Sequence, residues 1–242
     1  MQNIRIAAAG DSSILIEFGN EINEEINRKI TMIVQLMHAQ HIEGVVDMIP
    51  AFCSLLINYD PRIVSFEKMK KRMQELVKMD VKAGAQRKKV FEIPVCYGGE
   101  YGPDLGNIAS HAGITEEEVI QIHSSRDYLI YMLGFLPGFC YLGGLDERIH
   151  TPRLANPRKK ISAGSVGIGG SQTGIYPLDS PGGWQLMGMT PVKTYDPERE
   201  VPILVKAGDY IRFIPVDEAE YKRIKELVER DEYQCIIHEG EI

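Results

Sequence analysis

Two apolar runs open the chain, Ile4–Ala9 and Ile14–Phe18, separated by Gly10-Asp11, and this pattern predicts two strands around a turn. The period then changes. Ile22, Ile26, Ile30, Ile33, Val34 and Met37 recur every three or four residues, which predicts a helix with one buried face ending between His38 and His41. Val45–Ile49 and Ser54–Tyr59, rich in branched apolar residues, flank Pro50-Ala51 and predict two more strands, and Phe66, Met69, Met73, Leu76 and Val77 restore the helical spacing. The predicted order is strand, strand, helix, strand, strand, helix.

Charge and turn residues gather at Lys82–Lys89 around Gly84, with no apolar period, and place a domain boundary there. Beyond it, Val90–Val95 predicts a strand, and Thr115-Glu116-Glu117-Glu118 has the pattern of a capping box that starts a helix from Glu116 to about His123. From Tyr128 to Val192 the character changes: these 65 residues hold twelve of the 23 glycines, the only tryptophan and eight charged residues. Helix interiors do not tolerate that glycine content, whereas short strands joined by tight turns do, so the stretch predicts a β-barrel or sandwich. Ile203–Val205 and Tyr210–Ile214 predict a closing hairpin about Gly208-Asp209, and Glu218–Arg230 a peripheral helix.

Composition narrows the classes of function. The 242 residues are 44% apolar and 25% charged with a net charge of −7, which suits a folded protein and argues against nucleic-acid binding. The basic triplets Arg87-Lys88-Lys89 and Arg158-Lys159-Lys160 are too short to track a phosphate backbone and read as solvated loops. Tyr128–Leu145 is uncharged for 18 residues, but Pro137 and four glycines make it a poor membrane helix. The N-terminus lacks the apolar region of an export signal, so the expected location is the cytoplasm, with no membrane partner. Cys53, Cys96, Cys140 and Cys235 form no zinc spacing and no metal is expected; Cys140 is a weak candidate nucleophile.

No phosphate loop, HExxH or GxSxG motif is present, and Gly164-Ser-Val-Gly-Ile-Gly-Gly170 lacks both the dinucleotide spacing and a following helix. What remains are polar side chains on glycine- and proline-shaped turns. Arg153 and Arg158 each follow a proline, and their guanidinium forks suit carboxylate or phosphate, or else pair with nearby acids. His123, at a helix end, is a candidate general acid or base, or a cation favoured by that end. Tyr131, Ser165, Gln172, Thr173 and Tyr176 complete the candidate substrate contacts. Phe135, Pro137, Phe139, Pro181, Gly182, Gly183 and Trp184 suit an apolar pocket or partner face, although aromatic residues most often enter the core.

The string Tyr131-Met-Leu-Gly-Phe135-Leu-Pro-Gly-Phe139-Cys-Tyr-Leu142 is followed by Pro152-Arg153, Pro157-Arg158, Ala163-Gly-Ser-Val-Gly-Ile168, Gln172-Thr-Gly-Ile-Tyr-Pro177 and Ser180-Pro-Gly-Gly-Trp184. With Ile93–Asp104 upstream, it resembles the KipI-like family, that of the B subunit of 5-oxoprolinase, also called allophanate hydrolase subunit 1. Ser162 and Met189 depart from the family pattern, which has proline and a basic residue there. The resemblance implies an α+β chain: a small N-terminal α/β (ferredoxin-like) domain, residues 1–88, and a C-terminal cyclophilin-like β-barrel domain, residues 89–242, with a peripheral helix.

It further implies a subunit, inactive alone, of an ATP-dependent 5-oxoprolinase complex that hydrolyses 5-oxo-L-proline to L-glutamate. The implied partners are a second cyclophilin-like chain, the C subunit of that complex, and a non-barrel chain, its A subunit, with ATP used by the complex and not bound by this chain alone. In that setting Arg153 and Arg158 would hold anions, Ser165 and Gln172 would donate hydrogen bonds, and His123 would move protons. The family also implies a different function, inhibition of a sporulation sensor histidine kinase, and a third, half of a urea-carboxylase-type biotin-dependent carboxyltransferase.

Overall fold

The computed structural model describes residues 4–21, 23–79 and 87–241. Ile22 and the linker residues from Lys82 to Gln86 lie outside them. The chain divides into two compact units, Met1–Gln86 and Arg87–Ile242.

The first unit runs β1 (Arg5–Ala8), β2 (Ser13–Glu17), α1 (Glu24–Ala39), β3 (Val45–Pro50), β4 (Ser54–Tyr59) and α2 (Phe66–Lys78). Its four strands form an antiparallel sheet in the order β1-β2-β4-β3. This is the ferredoxin-like layering with one edge strand moved to the front of the chain. Asn23 starts α1 by accepting from the Glu25 amide at 2.8 Å. Alternate residues Ile14 and Ile16 of β2 and Leu55 and Ile57 of β4 meet Ile26, Ile30, Ile33, Met69 and Met73 of the helices in one buried core.

The second unit begins with a long strand, β5 (Arg87–Tyr97), followed by α3 (Leu105–Ala112), α4 (Glu116–Ser124), β6 (Asp127–Leu133) and β7 (Cys140–Gly143). After a 3-10 turn at Glu147–Ile149 come β8 (Arg158–Ile161), β9 (Ser165–Gly169), β10 (Gln172–Ile175), β11 (Ser180–Gly182) and β12 (Gln185–Met189). The chain finishes with β13 (Tyr210–Val216), α5 (Glu218–Glu229) and β14 (Ile237–Glu241).

Strands β12-β9-β10-β7-β6-β13-β5 pair in that order, and β12 pairs again with β5 at Cys96 and Tyr97, so seven strands close into a barrel. Closure removes the free edges of the sheet, and β14 covers the first half of β5. Ile93 and Val95, Tyr128 and Ile130, Val166 and Ile168, and Ile211 and Phe213 fill the interior. Strands β8 and β11 form a separate two-stranded ribbon.

Three local expectations are corrected. Both basic triplets lie in strands, one in β5 and one in β8, where each places a lysine within reach of an acid: Lys88 meets Asp127 at 2.8 Å and Lys160 meets Asp179 at 2.7 Å. Ile203–Val205 is not a strand. Tyr210–Val216 pairs instead in parallel with β5 and antiparallel with β6, as barrel closure requires. No helix among the described residues is long and apolar enough to cross a membrane.

Candidate functional site

Strands β7, β10, β9 and β12 turn Cys140, Leu142, Thr173, Ile175, Val166, Ile168 and Met187 inward. The alternate positions facing outward on β9 and β10 include Gly167, Gly169 and Gly174. Without side chains there, the barrel wall is thin enough for Trp184 to lie flat on it. A methyl group on Gly169 would run into the indole, and one on Gly174 would come within 3.2 Å of it. Phe139 stands edge-on to Trp184 at 5.6 Å and to Tyr176 at 5.4 Å, and Ile161 and Leu186 complete this second, outer cluster. Gly182 leaves room for the Tyr176 hydroxyl, which a Cβ there would approach to 2.6 Å.

The loop carrying both arginines is tied to the Trp184 segment. The Leu154 amide donates to Gly183 O at 2.7 Å, and Gln185 Nε2 donates to Pro152 O at 3.0 Å. Arg158 donates to Asp104 Oδ1 at 2.7 Å and to Trp184 O at 3.4 Å. Asp104 is buried, and its other oxygen takes the Leu186 amide at 2.7 Å. Arg158 is therefore committed to an internal ion pair. Arg153 is exposed, with its guanidinium carbon 5.9 Å from the Trp184 ring centroid. Burial pushes the Tyr176 phenol up, against the opposing pull of the Trp184 amide, Arg153 and Arg158.

Phe135 projects from the loop between β6 and β7 and is 64% exposed. Its ring meets the edge of Phe139 at 5.6 Å, while the neighbouring Pro137 and the more distant Pro181 are also exposed. Arg153, Arg158, Phe135, Gly182 and Gly183 thus come together over a buried cluster of Phe139, Tyr176 and Trp184 on the outside of the barrel wall.

Other candidates lie elsewhere. His123 is wholly buried, stacked on Phe213 at 4.4 Å, and burial holds its pKa down at about 3. Tyr97 Oη lies 2.8 Å from Nδ1, Thr173 Oγ1 lies 2.8 Å from Nε2, and Thr173 itself donates to Gly167 O at 3.1 Å. That last bond makes Thr173 an acceptor from Nε2–H, so Nδ1 is bare and Tyr97 donates to it. The chain of donors ends on a backbone carbonyl, and the neutral imidazole has no exposed surface through which to meet a substrate.

Tyr131 is buried against Gly143 at a bulge in β6, Ser165 is buried on β9, and Gln172 is partly exposed on β10. Cys140 is buried in the barrel, its thiol pushed up to about 12 by burial, which makes it a poor nucleophile. Among the described residues no group of three or more His, Cys, Asp and Glu could hold a metal. A cavity of about 920 Å³ in the first unit, lined by Ile4, Phe18, Ile26, Lys29, Lys70 and Val77, contains none of the candidates.

With this geometry in place, residues 4–205 match the family described as the carboxyltransferase domain, subdomain C and D. The chain belongs to that family. Within the carboxyltransferase C and D family it is 43% identical to a Bacillus subtilis protein named as the B subunit of 5-oxoprolinase, over 92% of this chain and 97% of the relative. It is 40% identical to the Escherichia coli O157:H7 protein of the same name, over 90% of this chain and 99% of the relative. The structure of the K. lactis urea amidolyase shares the fold, with a TM-score of 0.83, 23% identity, and coverage of 99% of this chain and 16% of that one. The family match ends before β13, the strand that bridges β5 and β6 to close the barrel.

Two residues that hold candidate residues in place, Asp104 at the outer face and Tyr97 inside the barrel, were not singled out in the sequence. Asp104 follows Gly102-Pro103 and reads locally as a turn residue, and Tyr97 ends a strand before Gly98-Gly99. Their partners, Arg158 and His123, are 54 and 26 residues away, so nothing in the local pattern reports either contact.

Proposed function

We propose that this chain is the B subunit of an ATP-dependent 5-oxoprolinase, inactive alone, and supplies one wall of a site completed by a second cyclophilin-like subunit and a non-barrel subunit. The observation that carries the reading is 43% identity, across 92% of the chain, to a relative named as the B subunit of 5-oxoprolinase. In the overall reaction ATP, 5-oxo-L-proline and two waters give ADP, phosphate and L-glutamate. The lactam is resonance-stabilised, so phosphorylation of its oxygen by ATP would make the ring carbon electrophilic. One water would add there, the C–N bond would break to leave the free amine and an acyl phosphate, and the second water would hydrolyse that acyl phosphate to the carboxylate and phosphate.

The wall on this chain suits the substrate end of that chemistry. Arg153, exposed and laid over Trp184, would receive the carboxylate of 5-oxoproline as a bidentate fork. Trp184 and Tyr176, 4% and 2% exposed, would lie beneath Arg153 and hold it in place without touching the ring. Arg158, already paired with Asp104, would position Trp184 and not contact substrate. His123, Thr173 and Ser165, all buried, would act as scaffold for the wall, and Gln172 would be the remaining donor on β10. Nucleotide binding and proton transfer would then fall to the partner chains.

The test is glutamate release that requires both ATP and 5-oxoproline, measured with the chain alone, with its two partner subunits alone, and with all three. Activity is expected only in the complete set. Release by this chain alone, or full release by the two partners without it, would overturn the reading.

A further inference from the structure

On α1, Glu25 and Ile26 stand four and three residues before Lys29, and on α2 Lys70, Gln74, Val77 and Lys78 follow the same spacing, so each set lies on one helix face. The two faces border the cavity of about 920 Å³ in the first unit, together with Ile4, Ile6 and Phe18. That volume lies in the range that small ligands fill. The apolar wall that remains open is aliphatic: Ile4 and Ile6 are only partly buried, whereas Phe18, Ile26 and Val77 belong to the buried core that the cavity adjoins.

Lys29 and Lys70 are half-buried, yet neither side chain makes an ion pair or hydrogen bond with another described residue; Lys70 Nζ has only the Phe66 ring, 5.6 Å from its centroid. The other half-buried basic side chains among the described residues are all engaged. Lys88, Arg126, Arg158 and Arg212 pair with acids, and Arg199 donates to two backbone carbonyls. A lysine on an apolar wall lays its stem along that wall and keeps its ammonium at the water. Lys29, Lys70 and Lys78 therefore set positive charge at the mouth, against the single carboxylate of Glu25, on a chain whose net charge is −7. Aliphatic surface inside and cations at the mouth complement an alkyl chain that ends in an anion. An ammonium is a compact charge with three donors, which suits a carboxylate, and Gln74 adds an amide donor at the same rim.

We propose that this cavity binds a free straight-chain aliphatic carboxylate, its tail along Ile4 and Ile6 and its head on Lys29 and Lys70. All the residues of the site belong to the first unit, so its test needs no partner subunit. The purified full chain is titrated by isothermal calorimetry with hexanoate, octanoate and decanoate below their micelle concentrations, and with decyltrimethylammonium as the cationic counterpart. Affinity is expected to rise roughly tenfold for each two methylenes added, as burial of the tail requires. Decyltrimethylammonium is expected to bind at least about tenfold more weakly than decanoate. Lys29→Gln combined with Lys70→Gln should weaken decanoate binding by roughly tenfold, and each single variant by roughly threefold.

No detectable binding of decanoate to the wild-type chain overturns the proposal. Equal affinity for hexanoate and decanoate also overturns it, because the tail then lies outside the cavity. So does decyltrimethylammonium binding as tightly as decanoate, a comparison that needs no variant. If the double variant fails to fold, the single variants locate the site, and wild-type affinity in both of them overturns the assignment.

Discussion

Arg158 and Asp104 form a 2.7 Å ion pair whose carboxylate also takes the Leu186 amide, so one buried acid joins β8, the start of α3 and β12. The arrangement uses both oxygens of Asp104. Its consequence reaches Trp184, whose carbonyl accepts from the same guanidinium at 3.4 Å.

Asp104→Asn keeps the shape but offers one oxygen, so either Arg158 or the Leu186 amide must face an NH2 group. The Arg158 side chain is 30% exposed, which screens part of the loss, and the expected destabilisation is about 1–3 kcal/mol. The only tryptophan reports the change directly, so a red shift of Trp184 emission should accompany the lower melting temperature. A variant with wild-type melting and unshifted emission would show that the pair positions nothing.

Arg153→Ala should change stability by no more than about 0.5 kcal/mol, because the side chain is exposed. In the reconstituted complex the same variant should raise the KM for 5-oxoproline by roughly tenfold to a hundredfold. Arg153→Lys should not restore it, since an ammonium neither stacks flat on the indole nor forks onto a carboxylate. Unchanged kinetics in both variants would remove Arg153 from the substrate wall.

The first unit was legible because every helix and inner strand buries one face, so Ile14, Ile16, Ile30 and Met73 fall at periods that a one-dimensional pattern reveals. The C-terminal barrel was legible as a class through its glycines, but its pairings were not. Tyr210–Val216 lies beside Val90–Cys96, more than a hundred residues distant, and no local signal encodes that register. Helix α3 was missed because Gly106 and Asn107 interrupt its pattern; Gly113, in the left-handed conformation at its end, was the available signal. The outer face drew attention through Arg153, Arg158 and Trp184, while the ion pair that commits Arg158 and the burial of His123 depend on strands that meet only in the closed barrel.

Gly169→Ala tests why the stretch is rich in glycine. The added methyl meets the indole of Trp184, which cannot retreat because Phe139 and Tyr176 stand edge-on against it. Overpacking of this kind costs about 1–3 kcal/mol. Lower melting with altered Trp184 emission is expected, whereas Gly170→Ala, where a Cβ meets nothing within 4 Å, should leave the emission unchanged and lose stability only through its φ of +69°. Equal emission spectra for the two variants would show that Trp184 does not rest on Gly169.

The buried imidazole of His123 makes an acid-side prediction. Its pKa falls from 6.5 to about 3 on folding because burial disfavours the charged form. Below pH 6.5 the unfolded chain takes up a proton that the native barrel refuses, so stability falls with pH at about 1.4 kcal/mol per unit until the native group itself protonates. Above pH 6.5 both states are neutral and the contribution is flat. Between pH 6.5 and 5 the loss from His123 is about 2 kcal/mol. His123→Gln can still bond to Thr173 or Tyr97 but cannot titrate, so it should be less stable than wild type at pH 7.5 and close part of that gap at pH 5. Urea unfolding of both proteins at the two pH values measures the difference, and parallel pH dependences would show that His123 is not held neutral in the native barrel.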